Sequence, residues 1–235
     1  MANRRIIGAL AALGALVMAS FAYGAVTPVG PNDYGNCKFD IDGVALQGDR
    51  ANDTINGTPQ NDFIAGGGGQ DLISGKPGRD CLYGENGDDT MYGSNGADYM
   101  EGNAGSDQMR GGKGRDEMYG FAADDNLRGG DGADKIKGLG GDDIGRGKDG
   151  NDDMRAGGGD DRFKGGKGKD FVKGAAGDDR LNGQAGGDLL RANRGNDRLE
   201  DTQGKNDLHC GAGIDRVRTN KRSIVRKDCE RVIRV

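Results

Sequence analysis

From residue 55 onward an apolar side chain returns at every ninth position: Ile55, Ile64, Ile73, Leu82, Met91, Met100, and on to Val217. Its neighbours are mostly polar. This spacing is neither the 3.6-residue period of an amphipathic helix nor the sustained alternation of a long strand. It is an internal repeat, the sequence signature of a stacked architecture. Starting at Gly48, the chain divides into nineteen blocks of nine that end at Arg218, with no insertion or deletion. Position eight is apolar in all blocks but one, where Gly145 stands and the adjacent Ile144 is expected to compensate. Position six is aspartate in eighteen blocks, with Asn206 the exception. Position four is glycine in sixteen blocks and position one in fifteen.

The residue types predict how a block folds. Glycines at positions one and four are expected to carry positive φ and to let adjacent coils approach closely. The stretch around position eight reads as a short strand with its apolar side chain inward. One such strand cannot bury its face, but stacked copies can. Composition agrees: 48 of 235 residues are glycine, tryptophan is absent and only 33% are hydrophobic, too few for an ordinary globular core. Low-complexity drift does not hold three residue types in phase over 171 residues. The expected fold class is therefore an all-β, elongated repeat with a thin core.

Charge adds the chemistry. The net charge of −5 hides a bias, since 33 of the 38 acidic residues are aspartate. In a stack, equivalent aspartates recur at the interstrand spacing of ~4.8 Å. Two carboxylates at that distance repel by roughly 3 kcal/mol at an effective dielectric near 20. Summed along a row, this exceeds the ~5–15 kcal/mol net stability of an ordinary domain. Cations are needed between the carboxylates. Hard oxygen ligands from carboxylates and turn carbonyls suit Ca²⁺, whereas Mg²⁺ demands a tight octahedron and sheds water reluctantly. Zinc or copper would call for imidazole or thiolate, and His209 is the one histidine.

Blocks such as "GENGDDTMY" and "GGKGRDEMY" resemble the RTX nonapeptide of haemolysin-type calcium-binding proteins. The resemblance covers residues 48–218 and implies a parallel β-roll solenoid with two blocks per coil, about nine and a half coils or ~45 Å long. It implies Ca²⁺ ions between turns two blocks apart, held by sixth-position aspartates and turn carbonyls. One row is then Asp53, Asp71, Asp89, Asp107, Asp125, Asp143, Asp161, Asp179, Asp197 and Asp215. The other is Asp62, Asp80, Asp98, Asp116, Asp134, Asp152, Asp170 and Asp188. Departures from the pattern cluster at the ends: Ala51 and Gln60 at position four, Asp201 and Cys210 at position one, and Asn206 at position six. Sites there are expected to be weaker or empty. Position two is mostly not glycine, as at Lys76, Glu85 and Ser94.

Outside the repeats, Arg4 and Arg5 followed by "IIGALAALGALVMASFA" and small residues read as a secretory signal over residues 1–24. An uncleaved membrane anchor is the alternative reading. No other stretch is apolar enough to span a bilayer. Residues 25–47 and 219–235 are expected to cap the ends of the roll, the latter as a strand. Exported proteins with an even cysteine count favour disulfides. Of three possible connectivities, Cys37–Cys81 with Cys210–Cys229 is preferred, because each bond joins a flank to the nearest end.

No histidine-based catalytic constellation can be built, and the glycine-rich stretches lack the strand–loop–helix context of a nucleotide loop. With about 23 residues between leader and repeats, no catalytic or pore-forming unit is expected upstream. The reading is a secreted protein, not an enzyme, that folds on binding several Ca²⁺ and has a structural, cell-surface or interaction role. No nucleic-acid partner is expected. An adhesin or ligand-binding roll, for glycan or another surface, is the alternative. An enzyme using surface carboxylates such as Asp131 or Asp149 is the remote one.

Overall fold

The computed structural model describes residues 41–235 together with the short strand Thr27–Pro28. The leader and Cys37 lie outside the described residues. All regular elements among the described residues are strands, arranged as a parallel β-roll. Successive strands alternate between two sheets, so sheet neighbours lie two strands apart in sequence. The registers are set at eighteen residues. Met100 pairs with Met118 and Met118 with Ile136 in the first sheet, while Met91 pairs with Met109 in the second. Two blocks therefore make one coil.

Position eight forms the core. Its side chains point inward from both sheets and are fully buried from Ile55 to Val217. The one vacant position is filled from an unexpected direction. A side chain on Gly145 would meet the Phe163 ring, with Cβ only 2.4 Å from Cε1. Phe163 is Gly145's register partner one coil on, and it is itself fully buried. Ile144 does not compensate. It occupies position seven, points outward and stays partly exposed.

The strands are longer than expected. Most span six residues, from position seven through position three of the next block, as in Thr90–Asn95 and Glu117–Ala122. Position one therefore lies inside a strand, and its φ is not positive. The left-handed positions are two and four instead. At position two even Lys76, Glu85 and Ser94 adopt positive φ. At position four glycine is needed twice over: Gly96 has φ 144°, and a Cβ there would sit 1.5 Å from the Gly78 carbonyl oxygen. Ala123 stands at position four with φ 73°, the left-handed helical value an alanine can reach at some cost.

Both ends are capped. Ala45–Gln47 opens the first sheet, pairing parallel with Phe63–Gly68 and antiparallel with Thr27–Pro28. At the other end two strands, not one, close the roll. Ile224–Val225 extends the first sheet and Arg231–Arg234 the second. A Cys210–Cys229 disulfide ties this cap to the last coil, with Cα atoms 5.1 Å apart. Cys81 is also disulfide-bonded.

Candidate metal centre

The eighteen-residue register brings the sixth-position aspartates into two files inside the turns. All are buried. Each carboxylate is held by its neighbour's backbone: the Asp98 N–H donates to Asp116 Oδ1 at 2.9 Å, and the Asp116 N–H donates to Asp134 Oδ1 at 2.9 Å. The same link runs from Asp53 to Asp215 in one file and from Asp62 to Asp188 in the other. Both rows are thus continuous hydrogen-bonded ladders.

The second carboxylate oxygen has no such partner. In seventeen of the eighteen row aspartates one oxygen is buried and accepts no hydrogen bond. From Asp71 onward it is Oδ2. Its surroundings are oxygen-rich. A Cβ built on Gly93 would lie 2.3 Å from Asp98 Oδ2 and 2.8 Å from the Gly111 carbonyl oxygen. The same pair of contacts recurs at Gly84, Gly129, Gly147 and Gly165. This explains position one. Glycine is favoured there for room, because the carboxylate and the next coil's carbonyl crowd the space a side chain would take, although Ala156 and Ala192 are buried at the same position. Position one also drops out of the interstrand register, as Gly120 and Gly138 do between Tyr119–Lys137 and Phe121–Leu139.

A buried, unpaired carboxylate oxygen carries a large desolvation penalty unless a charge or proton satisfies it. Burial, more than any other cause, pushes Asp98, Asp125 and Asp179 up to about 8. It pushes Asp80, Asp89, Asp134, Asp152, Asp161 and Asp170 up to about 7. Asp107, Asp116, Asp143 and Asp197 rise to about 6. Asp71, Asp188 and Asp215 are raised for the same reason. A divalent cation would remove this penalty. No three carboxylate, imidazole or thiolate groups converge on one point among the described residues. The remaining donors would have to be backbone carbonyls, and such an all-oxygen set fits Ca²⁺.

The ends differ from the middle in ways the pattern does not show. Asp62 already has both oxygens occupied, by the Val44 N–H, the Thr58 N–H and the Thr58 hydroxyl. Asp53 turns Oδ2 to the Asp49 N–H and leaves Oδ1 bare. At the far end the cap continues the ladders: the Asp215 N–H donates to Glu230 and the Asn206 N–H to the Ser223 hydroxyl. Glu230 and Ser223 fall outside the nine-residue period, so sequence reading missed them.

It also missed Asp201, which counted only as a lost glycine. Its side chain is fully buried, and its Oδ2 has no hydrogen-bond partner. A Cβ on Gly183 would lie 2.2 Å from Asp201 Oδ2 and 2.5 Å from Asp188 Oδ2, so two carboxylates face the same space. Asn206 accepts the Asp188 N–H as an aspartate would. Asp201 therefore places a carboxylate beside Asp188 at the end of the row where Asn206 lacks one. Burial, then repulsion from Asp188, pushes Asp201 up to about 8. Asp201→Asn is expected to lower the count of tightly bound Ca²⁺ by one in equilibrium dialysis. When the metal-free chain is titrated upward from acid, the pH midpoint for loss of its β signal should be higher than in wild type, because one of two crowded carboxylates is gone. A metal-free midpoint that falls instead would show that the pair is not repulsive.

Other polar candidates are unremarkable. Asp131 and Asp149 are register partners at exposed strand ends, and Asp149 pairs with Lys167 at 2.7 Å. His209 is half-exposed beside Asp207.

A family model described as the RTX calcium-binding nonapeptide repeat, in units of four copies, matches residues 47–82, 83–118, 119–154, 146–181, 155–190 and 182–217. No curated protein matches the chain.

Proposed function

Because the chain belongs to the RTX calcium-binding nonapeptide-repeat family, we propose that it is a secreted calcium-loaded solenoid with a structural or cell-surface role. The row aspartates are its ligands and bound Ca²⁺ is the condition of its fold. The observation that carries this reading is the set of seventeen buried carboxylate oxygens without a partner, repeated in phase beside glycine carbonyls. Turn-forming aspartates alone would need only the Oδ1 ladder. The second oxygen is surplus to the fold and suits a cation. The role is non-catalytic, and the chain's own residues act by presenting oxygens, excluding water and holding coils in register.

Export follows from the leader and agrees with the metal requirement. A chain short of Ca²⁺ stays unfolded until it reaches a calcium-rich exterior. The test is equilibrium dialysis of residues 25–235 against Ca²⁺, with Mg²⁺ as control. Several Ca²⁺ per chain, undisplaced by equal Mg²⁺, is the expected result. Fewer than one Ca²⁺ per chain at millimolar free metal would overturn the reading.

A further inference from the structure

Residues 25–235 hold 31 Lys or Arg and 38 Asp or Glu, a charge of −7; set the eighteen row aspartates aside and the rest carries +11. In the calcium-loaded roll, whose rows are balanced by metal, the exterior is therefore cationic. That charge is not spread evenly.

On the outer face of the second sheet, two columns of cations run along the roll axis. Position nine gives Arg110, Arg128, Arg146 and Lys164 on consecutive coils. Position seven gives Arg162, Arg180, Arg198 and Arg216, continued by Arg231 of the cap. From Gln108 to Arg218, the one carboxylate at these two positions of this sheet is Glu200, paired with Arg198 and Arg218. The first sheet has one such column, Lys137, Arg155, Lys173 and Arg191 at position nine, but no cation column at position seven, where acidic and apolar residues interrupt. Its carboxylates Glu117, Asp153 and Asp207 pair with Lys135, Arg155 and Arg226.

The fold does not demand these columns. Position seven of the same sheet is Thr54, Leu72, Thr90, Gln108, Asn126 and Ile144 in the earlier coils, on the same backbone. Like charges directly opposite one another across a sheet are destabilising. Nine cations ranked at one per coil, ~4.8 Å apart, thus act against the fold that carries them. A linear partner with regularly spaced negative charge would relieve the repulsion. We propose that this face of the second sheet binds an extended acidic polysaccharide lying along the roll axis. The proposal rests on the calcium-loaded roll described above. The face favours a sugar polymer over nucleic acid because the cation columns hold no aromatic rings for base stacking beyond Tyr92, which Arg110 covers at 5.5 Å.

The experiment uses the chain in 1 mM Ca²⁺, with its β signal verified by circular dichroism, so that failure to load metal is seen separately from failure to bind. Heparin is the sulfated probe and hyaluronate the carboxylated one, with neutral dextran and duplex DNA as comparators. Expected is salt-sensitive binding to at least one acidic polysaccharide and none to dextran. The variant Arg162→Gln/Arg180→Gln/Arg216→Gln should weaken binding about tenfold or more and flatten the salt slope by roughly two to three. Lys137→Gln/Lys173→Gln/Arg191→Gln on the first sheet removes the same charge and should change affinity less than about twofold. Should the first variant lose its β signal, Arg110→Gln/Arg128→Gln/Arg146→Gln reads the other column. Equal losses from both sheets, no binding to either polysaccharide, or DNA bound tighter than both would overturn the proposal.

Discussion

Stripping calcium at pH 8 is expected to abolish the β-sheet signal, and acidifying the metal-free protein to just below pH 4 is expected to restore much of it. This is the reverse of ordinary acid unfolding, where carboxylates paired in the native state must be protonated. An unfolded aspartate releases its proton near 3.8, whereas thirteen row aspartates in the roll hold theirs to about 6, 7 or 8. Between those limits the folded chain binds more protons than the unfolded one, so stability falls as pH rises. Below about pH 4 both states are protonated and there is no penalty. Above about pH 8 the penalty is complete.

Each carboxylate contributes up to ~1.4 kcal/mol per pH unit inside its window. A fraction of that sum over thirteen groups exceeds the ~5–15 kcal/mol net stability of an ordinary domain. Calcium reverses the dependence, because it binds the deprotonated form and must displace protons at low pH. Apparent Ca²⁺ affinity should therefore rise from pH 5 to pH 8 while metal-free stability falls. Far-ultraviolet circular dichroism across pH, with chelator and then with Ca²⁺, measures both. A metal-free roll with an unchanged spectrum at pH 8 would sink the argument. So would a metal-free chain that stays unfolded just below pH 4, since protons would then fail to replace the metal.

What the sequence made legible was whatever repeats in phase. Ile55 through Val217 and the two aspartate rows could be placed because stacking turns a period into a column, and a column into burial or repulsion. What stayed hidden involves contacts between coils rather than within a block. Position-one glycine looked like a turn residue, yet its constraint is steric and comes from an aspartate five residues on and a carbonyl one coil away. Asp201 and Glu230 break the period, and only the three-dimensional register shows that they stand where row groups should. The columns of arginine were visible in the letters at every eighteenth residue. Net charge concealed them, because the buried aspartates dominate the total.

Gly145 separates the two ways of reading this chain most sharply. On the repeat pattern Gly145→Leu completes the hydrophobic column and should stabilise the roll. On the structure it should do the reverse. The space is already filled by Phe163, whose Cε1 and Cδ1 lie 2.4 and 2.5 Å from the position a Cβ would take. Overpacking a close-fitted core costs roughly 1–3 kcal/mol, and more where the displaced group is a large ring. Phe163→Ala should cost about 3–5 kcal/mol by the opposite route, since glycine opposite leaves nothing to collapse into the hole. The two positions form one unit, so the double variant Gly145→Leu/Phe163→Leu should recover most of either loss. Calcium-loaded denaturation midpoints for wild type, both single variants and the double variant give the coupling energy directly. Additive losses would mean that Phe163 does not fill the gap. Strong compensation would show that the chain's one break in its apolar column is a matched pair, a small residue answered by a large one on the next coil.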